Sequence, residues 1–299
     1  MAARFILSFD CEGKWGVADH LTARHHRELS DERLTEAYRA ILAVLGEFGV
    51  AATFAFVGAF TQSRRDFARA RPAIEQLRSA APNYLGPALR DLDSTGGDGW
   101  HGDRLVDLVA QAQHEIALHG VTHIPWTHLD EVEAHAELAL VQQLVGPIRD
   151  SRTFVYPRNL VAHSDLLAGQ GFMGFRSARG RSRLSSFLSE FNLLETPESP
   201  SAANRIVQIP AGFFLNWRRG PRRAVPPEVT RLRAKRLLRA ADVTDGVVHY
   251  WLHPENIASA PATLGSLRML LREVADAREA GRCEVMTQLD YCGWAKSLH

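Results

Sequence analysis

The segment Ile116-Ala117-Leu118-His119-Gly120-Val121-Thr122-His123 is an apolar run that ends in one histidine and meets a second four residues later. An apolar run this short, closed by a glycine, suits a strand buried on both faces, as in a parallel sheet covered by helices. His119 then stands at the strand's carboxyl end, Gly120 turns the chain, and two imidazoles are free to face one point. A neutral imidazole nitrogen is a good ligand for zinc and its first-row neighbours. The pair is therefore a candidate metal clamp, set against the alternative that it is a chance spacing among thirteen histidines.

Outward from that strand the pattern alternates. Strands are expected at residues 5–9, 51–57, 115–118, 153–156, 172–177, 206–209, 247–252 and 284–289. Helices are expected at 31–48, 66–79, 103–113, 130–145, 164–169, 227–240 and 261–280. Ser30 supplies a cap before the first of these helices and Gly49 a stop after it. Residues 80–102 hold Pro82, Gly86, Pro87 and the run Gly96-Gly97-Asp98-Gly99. That stretch is read as a long covering loop inserted into a single domain spanning residues 1–299. Strands threaded by helices predict an α/β fold, a distorted parallel (β/α) barrel of seven or eight strands.

Composition narrows the partners. The net charge is +1, with 45% apolar and 23% charged residues, which is ordinary for a globular protein and gives no overall field for nucleic acid or membrane. The arginines between 218 and 239 are interrupted by Pro221, Pro226 and Pro227 and read as a solvated face rather than a nucleic-acid surface. Three cysteines, Cys11, Cys283 and Cys292, lack paired spacing and suggest reduced thiols. The opening residues lack a segment apolar enough for a signal peptide, and no apolar run reaches the length of a membrane span, so a cytoplasmic setting is expected.

In a parallel barrel, chemistry gathers where the strands end. Four polar clusters fall there: Asp10-Cys11-Glu12, His119 to His123, Tyr156-Pro157-Arg158-Asn159 and His253-Pro254-Glu255-Asn256. Alternation along an extended segment points Asp10 and Glu12 to one side and Cys11 to the other. Two carboxylates on one side suit a hydrolytic metal site, one binding the ion and one taking a proton from water; the plainer alternative is that one caps the turn. Cys11 fits a small buried apolar residue. Trp15, Trp100, Trp217 and Trp251 lie in or beside expected loops and strand ends, as does Trp126. Their faces suit sugar rings, and packing is the competing use. His101 sits in the expected covering loop and is a further substrate candidate, with Asn159.

These clusters resemble the NodB-type polysaccharide deacetylases, metal-dependent hydrolases that remove acyl groups from amino sugars on a distorted (β/α) barrel. The resemblance is carried by Ser8-Phe9-Asp10-Cys11-Glu12, His119-Gly120-Val121-Thr122-His123, Phe154-Val155-Tyr156-Pro157-Arg158-Asn159 and Leu252-His253-Pro254, in the family's order. It implies Asp10 as catalytic base, His119, His123 and Glu12 as metal ligands with Zn2+ the favoured ion, and His253 as general acid. Arg158 is implied as a further catalytic residue, either pairing with Asp10 or contacting substrate. The chain departs from the family in three places. The second carboxylate is a glutamate two residues on rather than an adjacent aspartate. The arginine follows Pro157 instead of preceding it. Residues 210–217 carry no acid to orient His253. The implied function is a metal-dependent carbohydrate N-deacylase acting on a small amino sugar. The alternatives are a related barrel hydrolase of a non-sugar amide or cyclic ureide, and a non-catalytic carbohydrate-binding barrel.

Overall fold

Strand β1 (Ala3–Cys11) is buried at every position but Arg4, because it is flanked by other strands on both edges and by helices on both faces. The computed structural model describes residues 2–178, 195–199 and 205–298. After β1 come α1 (Ala23–Glu28), α2 (Asp31–Phe48), β2 (Thr53–Phe56), α3 (Arg64–Glu75), α4 (Pro82–Thr95), α5 (Asp103–Gln111) and β3 (Glu115–Leu118). The middle of the chain holds α6 (Glu131–Ala139), β4 (Thr153–Val155), α7 (Ser164–Gly169), β5 (Gly174–Arg176), β6 (Val207–Ile209) and β7 (Phe213–Phe214). The remainder is α8 (Pro227–Thr244), β8 (Val247–Leu252), α9 (Pro254–Ser259), α10 (Thr263–Glu279), β9 (Cys283–Met286) and α11 (Gln288–Ser297).

The strands lie in the order β6-β5-β4-β3-β2-β1-β8-β7, with β9 paired to β1 beside that row. All the strand ladders are parallel, the arrangement that helical crossovers impose. The sheet curls into the distorted (β/α) barrel that the alternating pattern predicts, and among the described residues no ladder joins β6 to β7. One edge of β1 is shared: Ala3 to Ile6 pair with Cys283 to Met286, and Ser8 to Cys11 pair with Thr53 to Phe56. The opposite edge pairs Arg4 to Phe9 with Val247 to Leu252.

Two expectations are corrected. Residues 80–102 are not one loop: α4 fills most of the stretch. Pro82 sits in its first turn, where a backbone N–H has no intrahelical partner to lose, and Pro87 is tolerated inside. The helix ends at Gly96 with φ of 66°. The strand expected at 284–289 stops at Met286, and α11 begins at Gln288; β7 and α9 were not anticipated, whereas α10 is the helix expected at 261–280. Among the described residues no helix is long and apolar enough to cross a membrane.

Candidate active site

Five strand ends build the site. Asp10 is the penultimate residue of β1, and Glu12 follows the strand where the chain turns at Gly13, φ 54°. His119 is the first residue beyond β3, with Gly120 at φ 67° and His123 at φ 60° closing the turn. Asn159 lies past β4, Arg176 ends β5, and His253 is the first residue beyond β8.

Glu12 is the meeting point. Its Oε1 lies 3.0 Å from His119 Nε2, 3.0 Å from His123 Nε2 and 3.4 Å from His253 Nε2. His119 Nδ1 is 2.8 Å from the Val155 carbonyl. A carbonyl only accepts, so Nδ1 bears a proton and Nε2, the nitrogen left for a ligand bond, is the one that faces Glu12. Two electron-rich atoms held that close need a cation or a proton between them. Two imidazole nitrogens with one carboxylate oxygen are the donor set that zinc and its neighbours take, so these residues fit a divalent first-row ion.

Ligand atoms of Glu12, His119 and His123 all lie within 4.8 Å of one another, as do those of Asp10, Glu12 and His253. The second group is the poorer cation site, because Arg176 already occupies both oxygens of Asp10, Nη1 to Oδ1 at 2.7 Å and Nη2 to Oδ2 at 2.6 Å. Such a bidentate, fully buried pair is the strong form of a charge-assisted hydrogen bond. Arg176 also donates to Ser8 Oγ at 3.2 Å and to Asn159 Oδ1 at 2.7 Å, and its guanidinium lies 4.7 Å from the Trp251 ring.

Burial alone would push the Asp10 carboxyl up, but the charge and hydrogen bonds of Arg176 outweigh it and hold it below the usual carboxylate range. Glu12 goes the same way and further: burial opposes ionisation, and the charges of His123 and His253 with the hydrogen bonds of His119 and His123 override it. His253 is lowered by burial and raised more by Glu12, to about 10. Its Nδ1 is 3.2 Å from Asn256 Oδ1, which also accepts from the His253 backbone N–H at 3.1 Å. Asn256 thus supplies the orienting contact for which residues 210–217 offered no acid.

The remaining candidates separate. Trp251 is at the site, with ring centroids 5.7 Å from His253, and Asn159 is there through Arg176. Arg158 is not beside Asp10: it donates to Asp19 at 2.6 Å and lies over the Tyr84 ring. The partner of Asp10 is Arg176, which sequence reasoning missed. The available signal was a lone arginine in an otherwise buried strand. Trp15 and Trp100 are buried against each other in the core, centroids 5.2 Å apart, and offer no face to a sugar. Trp217 packs beneath Arg219. His101 donates from Nδ1 to the Gln62 carbonyl and lines a cavity of about 660 Å³ with Asp31, Arg64 and Asp103; the residues of the histidine cluster do not line it.

Residues 29–162 match the family model described as polysaccharide deacetylase. The motif set and the family model point to the same class: this stretch of the chain is similar to the polysaccharide deacetylases. Among solved structures, a candidate polysaccharide deacetylase from Mycobacterium smegmatis is similar at 15% identity and TM-score 0.60, over 99% of this chain and 91% of that one. The PuuE allantoinase is similar at 13% identity and TM-score 0.54, also over 99% of this chain and 91% of that one. Both likenesses are of fold. No curated protein matched the sequence.

Proposed function

We propose that the protein is a metal-dependent hydrolase that removes an N-acyl group, acetyl or formyl, from an amino sugar or a small sugar-containing molecule. The observation that carries this is the convergence of three imidazole Nε2 atoms on one carboxylate oxygen beside a second, arginine-held carboxylate. Glu12, His119 and His123 would hold the ion, Zn2+ being favoured by the donor set. A divalent ion bound there supplies Lewis-acid polarisation of the amide carbonyl and a lowered pKa for the attacking water.

The chain's own groups do the rest. Asp10 stays ionised through Arg176, and its oxygens keep lone pairs beyond those the guanidinium uses. It takes the proton as water adds to the carbonyl carbon. His253, protonated beside Glu12 and held by Asn256, gives its proton to the amine nitrogen as the C–N bond breaks, leaving a carboxylic acid and a free amine. Trp251 offers an aromatic face next to His253 for the sugar ring. A cytoplasmic setting accords with Cys11, Cys283 and Cys292 being buried thiols.

The test is elemental analysis of the purified protein joined to free-amine release from N-acetyl and N-formyl amino sugars. Asp10→Asn is expected to lose turnover by at least about a hundredfold, the lower range for a general base, while keeping the metal. Full activity in that variant would reject the role of Asp10. A second reading, hydrolysis of a non-sugar amide or cyclic ureide, is favoured by the likeness to the allantoinase along almost the whole chain. Including small amides and ureides in the same panel separates the two.

A further inference from the structure

Two carboxylates, one buried and one half-buried, lie outside the set that faces the candidate ion, and both do the same thing. Glu137, on α6 and fully buried, uses Oε1 to accept from the backbone N–H of Val121 at 2.6 Å, the N–H of Thr122 at 3.0 Å and the Thr122 hydroxyl at 3.3 Å. Those amides belong to the turn between His119 and His123. Glu255, at the start of α9, uses Oε1 to accept from the N–H of Glu12 at 3.0 Å and of Gly13 at 2.6 Å. In each case one oxygen gathers two consecutive amides beside an ion-facing side chain, at a turn containing left-handed residues: Gly120 and His123 in one, Gly13 in the other.

The energetics make this placement informative. Burying a carboxylate is expensive unless donors compensate it, and a left-handed conformation at a residue such as His123 costs on the order of 1 kcal/mol or more. A turn like that persists where something outside it holds it. Here the holders come from distant elements, α6 for the histidine pair and the segment following His253 for Glu12. The spacing of the three ligand atoms is then set by two carboxylates rather than by the ligand loops themselves.

We infer that Glu137 and Glu255 are positioning residues that fix His123 and Glu12 in the geometry needed to bind a divalent ion. This rests on the reading that Glu12, His119 and His123 hold that ion. Neither residue touches substrate or the reacting atoms. Each acts through the backbone of a ligand loop.

The experiment strips the full chain with chelator and titrates it with Co2+, following the visible ligand-field bands, with Zn2+ affinity measured by competition against a chelating dye. Glu137→Ala and Glu255→Ala are expected to weaken Co2+ binding by roughly 10- to 100-fold, the usual effect of removing an outer partner, and to alter the band pattern. Glu137→Gln and Glu255→Gln keep an oxygen acceptor for the same amides and are expected to restore both affinity and spectrum. Folded alanine variants with the wild-type affinity and spectrum overturn the inference. So do glutamine variants as weak as the alanine ones, since the contribution would then be charge rather than amide capture. If an alanine variant does not fold, Glu→Asp at the same position shortens the reach by one methylene and is expected to show the same loss; wild-type binding there overturns the inference equally. A wild-type chain that binds no Co2+ defeats the metal reading and this inference with it, whereas binding that is indifferent to Glu137 and Glu255 defeats only the latter.

Discussion

Gly16 shows how much a single residue can decide. A Cβ at this position would overlap Glu12 Oε2, so the carboxylate keeps its place only because the side chain at 16 is a hydrogen atom. The Gly16 backbone is outside the left-handed region, and Gly16→Ala is expected to fold, to displace the Glu12 carboxylate and to lower Co2+ affinity. Spectroscopic titration of the variant checks it. At the same scale, His253 is raised from 6.5 to about 10, by Glu12 above all. A histidine whose folded value is raised stabilises the protein fully below the unfolded value, and that contribution is lost as pH climbs through the folded one. In chelator-treated protein the unfolding free energy is therefore expected to fall between about pH 6.5 and 10 on this account, and His253→Gln is expected to remove that part of the slope. Denaturant melts across that window are the measurement. Asp10, Glu12, His119, His123 and His253 were legible because each sits at or just past the end of an apolar run. Glu137 and Glu255 were not, because their importance lies in amides they hold 16 and 243 residues away, and Gly16 was not, because its closeness to the Glu12 carboxylate depends on how the turn folds.

Among the elements, α6 carries Glu137 and β5 ends in Arg176. The α6 helix begins with a complete capping box, Asp130 accepting from the Glu133 amide while Glu133 accepts from the Asp130 amide. Asp130→Ala is expected to cost about 1 kcal/mol of stability, measured by chemical unfolding, and to loosen the helix that presents Glu137. Strand β5 is tight against α11: a Cβ at Gly174 would overlap Cys292 Sγ and stand 2.8 Å from the Val207 carbonyl. Gly174→Ala is expected to destabilise by about 1–3 kcal/mol through overpacking and, by shifting the strand that ends in Arg176, to lower turnover as well. Most strands of this sheet were legible because they are short, largely buried apolar runs; the two-residue β7 was not. The helix at Pro82–Thr95 was hidden by Pro82, Gly86 and Pro87, which signal a break in sequence; Pro82 falls in the first turn, where it loses no hydrogen bond, and Gly86 and Pro87 are carried inside the helix. Arg158 and Arg176 exchanged places in expectation for a similar reason. Adjacency to Pro157 drew attention to the first, while only the pairing of β4 with β5 puts the second beside Asp10.

For the molecule as a whole, an ion held from the ends of β1 and β3, as proposed, would link loops about a hundred residues apart, and ligand binding to the folded state alone adds stability by mass action. Saturating Zn2+ at a hundredfold excess over its dissociation constant is expected to raise the unfolding free energy by about 2.7 kcal/mol. Calorimetry with and without chelator would register this as a shift in melting temperature, and an unshifted transition would count against the ion site. The general architecture was readable from alternation alone. The row order and the sharing of one β1 edge by two strands were not, since they depend on pairings between segments with no local signal for each other.

That shared edge has a consequence for how the protein is made. Ala3 to Ile6 emerge from the ribosome long before their partners, Cys283 to Met286. Until then half of one side of the central strand is left with unmatched amides and carbonyls. Nascent chains therefore carry an adhesive margin through the synthesis of everything between the two segments, and arrival of the Cys283–Met286 stretch, rather than completion of the histidine-bearing loops, is what seals it.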